Sequence, residues 1–197
     1  MENPLDALLQ RLTGGDDILA EEAARELAAL VQPQPVEVIT GLDALLQSPE
    51  ADDRWWALRT LAEIPGQQSL EKLSAGLFDP DAGVRQCAAL GLRFHADGCA
   101  IPGLIEALSD PDGLVVQLAG DALVAIGGNA VPALLEVLEK GQQLARLEAV
   151  RALAMIGDEG AIPALFDALD GDSRWIEYWA SLGLERMGVG MSFFLPE

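Results

Sequence analysis

Few residues in this 197-residue chain carry reactive or recognition chemistry: one histidine, two cysteines, four tryptophans, and twelve basic side chains against 32 acidic ones. His95 lies beside Phe94 and four residues before Cys99. A general base needs a partner within hydrogen-bond reach, and none is encoded near it. One histidine with Cys87 and Cys99 also falls short of a tetrahedral metal site. No catalytic residue, metal ligand or resident cofactor is therefore assigned. His95 reads as a half-buried, hydrogen-bonded imidazole at a repeat junction, and Cys87 as small apolar packing. Trp55-Trp56 and Tyr178-Trp179 are adjacent ring pairs that could clamp an extended ligand or a flat tetrapyrrole. Filling gaps between helices is the alternative for Trp56 and Trp179. Among the scarce cations, Arg25, Arg59 and Arg151 fall in one register.

That register comes from a repeat. The stretch Ala100–Gly127 reads as a helix, a turn at Asp110-Pro111-Asp112 and a second helix. Its apolar residues recur at steps of three and four, the mark of one buried helical face. Shifts of 30 or 31 residues, and of 34 at the first step, lay the pattern on itself. One first-helix column is Leu8, Leu42, Leu73, Leu104, Leu134, Leu165; one second-helix column is Ala23, Ala57, Ala88, Ala119, Ala149, Ala180. Another, Leu30, Ile64, His95, Ile126, Ile156 and Met187, holds the histidine. A single hairpin cannot bury its own apolar face and must stack on the next. The chain is thus expected to be all-α, a solenoid of about six helical hairpins, with residues 1–187 as one body. Residues 188–197, GVGMSFFLPE, leave the pattern. Val189, Met191, Phe193, Phe194 and Leu195 read as a cap on the exposed end, with a docking peptide as the rival.

Turn chemistry supports the same division. Asp79-Pro80-Asp81 and Asp110-Pro111-Asp112 sit at matching places, where an aspartate can cap the second helix and favour its dipole. Pro102, Pro132 and Pro163 stand just inside three first helices, where a missing N–H costs nothing. Arg54, Arg85 and Arg146 open second helices and are expected to pair with the preceding turn aspartate. The period near 31, the D-P-D turns and the V-R-x-x-A-A-L-G segment at Val84–Gly91 resemble HEAT repeats, more narrowly those of the phycobilin lyase family. The resemblance covers Pro4–Met187. It implies HEAT-like hairpins and involvement with phycobiliproteins, either as E/F-type lyase subunits that attach or remove bilin or in phycobilisome turnover. Other relatives are accessory proteins of photosystem or iron–sulfur biogenesis, and the ending ERMGVGMSFF resembles that branch. The family supplies no short catalytic signature to carry onto residues here.

In HEAT-like solenoids the second helices line an inner, concave surface. At about 100° per residue, Trp55 and Arg59 point away from the arc Ala57, Leu61, Ile64. The expected partner-binding stripe is Arg25, Trp55, Arg59, Gln86, Leu90, Arg93, Gln117, Asp121, Arg151 and Tyr178. It mixes aromatic, aliphatic and Arg side chains, as interfaces do. Solvated helix faces are the plain alternative. Glu71, Glu106, Glu136, Glu139 and Asp167 make the first helices acidic, so the groove is read as less acidic than its rim, fitted to an acidic, partly apolar protein. A formal charge of −20 opposes binding to nucleic acid and to anionic membranes. Apolar runs are read as interrupted before a membrane span is reached, and no secretory signal is read at the N-terminus. Two cysteines do not make a disulfide framework, which favours a reducing, cytosol-like or stromal compartment. The leading expectation is a non-catalytic adaptor whose partner is a protein, a phycobiliprotein or a second HEAT-like subunit. The alternative is a lyase subunit, the one case that brings in bilin.

Overall fold

A computed structural model describes residues 4–32, 35–170 and 173–189, all of whose regular elements are helical. The chain divides into two compact units, Met1–His95 and Ala96–Glu197. The first contains α1 (Pro4–Leu12), α2 (Asp17–Leu30), α3 (Pro35–Leu46), α4 (Ala51–Leu61), α5 (Gln67–Gly76) and α6 (Ala82–His95). The second contains α7 (Ile101–Ala107), α8 (Gly113–Ile126), α9 (Val131–Lys140), α10 (Gln143–Ile156), α11 (Ile162–Leu169) and α12 (Arg174–Arg186). Each unit is three helical hairpins. Second helices pack side by side, α2 on α4 on α6 in one unit and α8 on α10 on α12 in the other.

The repeat columns are the cores. All six alanines of the Ala23–Ala180 column have no exposed surface, so second helices approach closely there. Leu42, Leu73, Leu104, Leu134 and Leu165 fill the space between first and second helices and are equally buried. The outermost column is looser: Ile64 is buried, while Leu30, His95, Ile126, Ile156 and Met187 are half-buried. Close approach is enforced by glycine at a few points. A Cβ at Gly183 would lie 2.8 Å from Ala154 Cβ, and one at Gly91 2.7 Å from Leu73 Cδ2.

The turns act as their residues dictate. Asp16 Oδ1 accepts from the N–H groups of Ile18 and Leu19, and Asp112 Oδ1 from those of Leu114 and Val115, so both cap second helices. In the D-P-D turns the first aspartate accepts from the second one's N–H, at 2.9 Å for Asp79 and 2.8 Å for Asp110. Helices α7, α9 and α11 start from short 3₁₀ turns, and their prolines stand in the first helical turn. Within residues 113–140 one 18-residue window reaches a mean hydropathy of 1.6, which passes for a membrane span by length and composition alone, and 44% of that window is buried inside the fold. Asp121 and Glu136 still interrupt the apolar run, as the sequence reading has it. The chain folds them as α8 and α9, parted at Gly127, whose φ is +76°. At the other end, Gly188 (φ +76°) closes α12 in a Schellman turn, with Val189 N donating to Leu184 O at 3.0 Å. The tail residues Met191, Phe193, Phe194 and Leu195 lie outside the described residues.

Candidate partner-binding surface

In the first unit Arg25 and Arg59 of the expected stripe are bound to carboxylates. Arg59 Nη2 meets Glu21 Oε1 at 2.6 Å and Nη1 meets Glu63 Oε1 at 2.8 Å. Arg25 shares the same Glu21 oxygen at 3.1 Å. Glu21 thus ties α2 to α4. Burial works against the Arg59 charge, yet its bonds to Glu63 and the charge of Glu21 outweigh that, raising its pKa. Trp55 is half-buried and stands edge-to-face on Trp56. Leu90 and Arg93 are exposed, and Gln86 is half-buried.

The second unit repeats the device. Arg151 donates from Nε to Glu148 Oε2 at 2.6 Å and pairs through Nη2 with Asp121 Oδ1 at 2.9 Å. The same Nη2 also reaches Gln117 O at 3.4 Å, so the guanidinium joins α10 to α8. Here too burial opposes the charge, and Glu148 and Asp121 more than restore it. Gln117 itself is exposed. For Arg59 and Arg151 an acidic partner would compete with these bonds. Tyr178 is 53% exposed and lies edge-on to Trp179 and to Trp175, itself 67% exposed. Sequence reasoning passed over Trp175. Its spacing of three from Tyr178 on one helix was the available signal. The acidic first-helix residues Glu71, Glu106, Glu136, Glu139 and Asp167 are all exposed.

The remaining candidates are structural. Arg54 donates to both carboxylate oxygens of Asp79, at 2.7 and 2.8 Å, and to the carbonyls of Ser48 and Pro49. The aspartate belongs to the following turn and not to the preceding one, which corrects the expected pairing. Arg85 donates to the carbonyls of Asp79 and Pro80 in its preceding turn, and Arg146 Nε to that of Leu138 in α9. Burial would raise the Asp79 carboxyl, but the Arg54 bonds and the Asp81 N–H outweigh it and hold it below its ordinary value. Cys87 is buried, and burial pushes its thiol up to about 12 against a lesser pull from Arg59. Such a thiol is not a nucleophile near neutrality. His95 is half-buried as expected, but its Nε2 is buried without a hydrogen-bond partner, contrary to the sequence reading. Among the described residues no three His, Cys, Asp or Glu side chains group as metal ligands.

A family model described as HEAT repeats matches residues 5–93, 40–124 and 101–185. A 75-residue stretch is 44% identical to phycocyanobilin lyase subunit beta of Pseudanabaena tenuis (strain PCC 7409), covering 37% of this chain and 26% of that protein. A 105-residue stretch is 36% identical to the phycobilisome maturation protein of Synechococcus elongatus (strain ATCC 33912 / PCC 7942 / FACHB-805), covering 53% of this chain and 50% of the relative. The chain thus spans half or less of the length of these curated relatives. Among solved structures, the complex of CpcE and CpcF of phycocyanin lyase from Nostoc sp. PCC7120 shares the fold with a TM-score of 0.54 at 22% identity, over 95% of this chain and 78% of that one. The fold class read from the repeat columns, an all-α HEAT-like solenoid, is the one these matches share.

Proposed function

The chain belongs to the HEAT-repeat family, and from that premise we propose that it holds a protein partner on its second-helix faces during phycobiliprotein maturation. The observation that carries this is the exposure of large rings, Trp175 at 67% and Tyr178 at 53%, on a helix whose other face is core. Exposed apolar side chains grouped on one element mark interaction surfaces. In the first unit Trp55, Leu90 and Arg93 contribute to the partner face; in the second Gln117, Asp121 and Tyr178 do. Arg25, Arg59 and Arg151 shape it through their carboxylates. Similarity to a phycobilisome maturation protein supports the setting, with a cyanobacterial cytosol or plastid stroma as the compartment. The test is capture of separated apo-phycobiliprotein subunits by the tagged chain. Binding is expected to weaken at least about tenfold on Tyr178→Ala with Trp175→Ala, the loss of two aromatic anchors. Unchanged binding by this variant would refute the assignment of the face.

A second reading, a bilin lyase subunit, is favoured by the 44% identity to a lyase beta subunit. In that reading the face presents a phycobiliprotein helix and bilin together, alongside a second HEAT-like subunit. Adding phycocyanobilin to the captured complex separates the two. Covalent bilin on the phycobiliprotein supports the lyase, and capture without attachment supports the holder.

A further inference from the structure

The first unit contains a cavity of about 650 Å³ near the starts of α2 and α4. Its lining combines the carboxylates of Asp17, Glu50, Asp52 and Asp53 with the indoles of Trp55 and Trp56. The two rings meet edge to face with centroids 4.8 Å apart and planes at 85°, and both are half-buried. Asp53 is occupied, accepting from Ser48 Oγ at 2.7 Å. Among the described residues the carboxylates of Asp17, Glu50 and Asp52 make no hydrogen bond or ion pair. Nearby cations are bonded elsewhere: Arg11 to Glu22 and Glu26, Arg25 and Arg59 to Glu21, Arg54 to Asp79, Lys72 to Asp43, with the Arg54 charge also felt by Glu50.

The positive end of the α4 dipole accounts for carboxylates in its first turn. It does not account for two large indoles left half-open beside them. Ring faces beside unpaired carboxylates are complementary to a cation, which the ring quadrupole attracts and the carboxylates neutralise. A guanidinium adds flat stacking on the indole. Next to Asp17, Ile18 is 75% exposed and Leu19 44%, so apolar surface continues beyond the cavity for the residues flanking such a cation. That continuation favours a peptide segment over a free amine.

We propose that this cavity takes a lysine or arginine side chain from a basic segment of a protein partner. The proposal rests on the partner-holding reading and names the chemistry of one of its contacts, with Trp55 common to both. The test uses the full chain carrying Trp175→Phe and Trp179→Phe, so that Trp55 and Trp56 alone report. An end-blocked octapeptide of alternating lysine and arginine is titrated in at physiological salt. Saturable change in indole emission is expected. Glu50→Gln with Asp52→Asn should weaken binding at least about threefold more than Glu136→Gln with Glu139→Gln, which removes equal charge from exposed positions of α9. Equal weakening by both pairs would show that total charge alone draws the peptide, and would overturn the proposal, as would unchanged emission. Failure of phycobiliprotein capture would leave this titration standing, and failure here would leave capture untouched.

Discussion

Asp79 is gripped by Arg54 through two short bonds, with both side chains largely shielded at 13% and 11% exposure. Replacing it with Asn should cost about 2 kcal/mol at pH 7, between an exposed pair and a fully buried one. Because the folded carboxyl is held below its ordinary value, this stability is present above the unfolded pKa of about 4. It is lost as pH falls through the lower folded value. Urea unfolding of wild type and Asp79→Asn should therefore differ at pH 7 and converge in acid. A constant gap would refute the pair's role. The two thiols should also divide: a disulfide reagent at pH 8 should titrate one equivalent in the native chain, exposed Cys99, and two in denaturant, since Cys87 is buried with its thiol near 12. At this scale the sequence was a partial guide. It placed Arg59 and Arg151 in one register, but helical period does not encode which neighbour a long side chain reaches. Glu21, Glu148 and Asp121 occupy the guanidiniums through such rotamer choices. The partner of Arg54 was misassigned by one turn for the same reason.

Among the elements, boundaries followed from turn chemistry that is local and hence readable. The hairpin expected within Ala100–Gly127 is α7 and α8, and the repeat columns that follow it fall on α9 and α10. The 3₁₀ turns at Gly98–Ala100, Gly127–Ala130 and Glu159–Ala161 were not foreseen. Their signal is weak: buried Ala100, Ala130 and Ala161 show that tertiary packing draws these turns inward. Glycines separate packing from propensity. Gly183→Ala should destabilise by roughly 1–3 kcal/mol, because the new Cβ meets Ala154 Cβ at 2.8 Å and its backbone Cα at 2.9 Å. Gly113→Ala meets nothing within 4 Å and should stabilise by up to about 1 kcal/mol. Urea midpoints with an unchanged denaturant slope would check both, and equal effects would contradict the close α10–α12 contact.

For the whole molecule, residues 1–187 are proposed to act as one repeat array. Neighbour coupling in such arrays makes unfolding cooperative. Trp55 and Trp56 report the first unit, and Trp175 and Trp179 the second. Variants keeping one pair each should show coincident urea transitions, and separated midpoints would dismiss the single array. The central claim is that a protein partner is held on second-helix faces, and side-chain oxidation footprinting with an apo-phycobiliprotein subunit tests it most directly. The account predicts protection of Trp55, Leu90 and Tyr178, with Phe78 and Phe166, which lie off those faces and are 57% and 43% exposed, oxidised as before. Protection of Phe78 and Phe166 with the second-helix residues unchanged would contradict it.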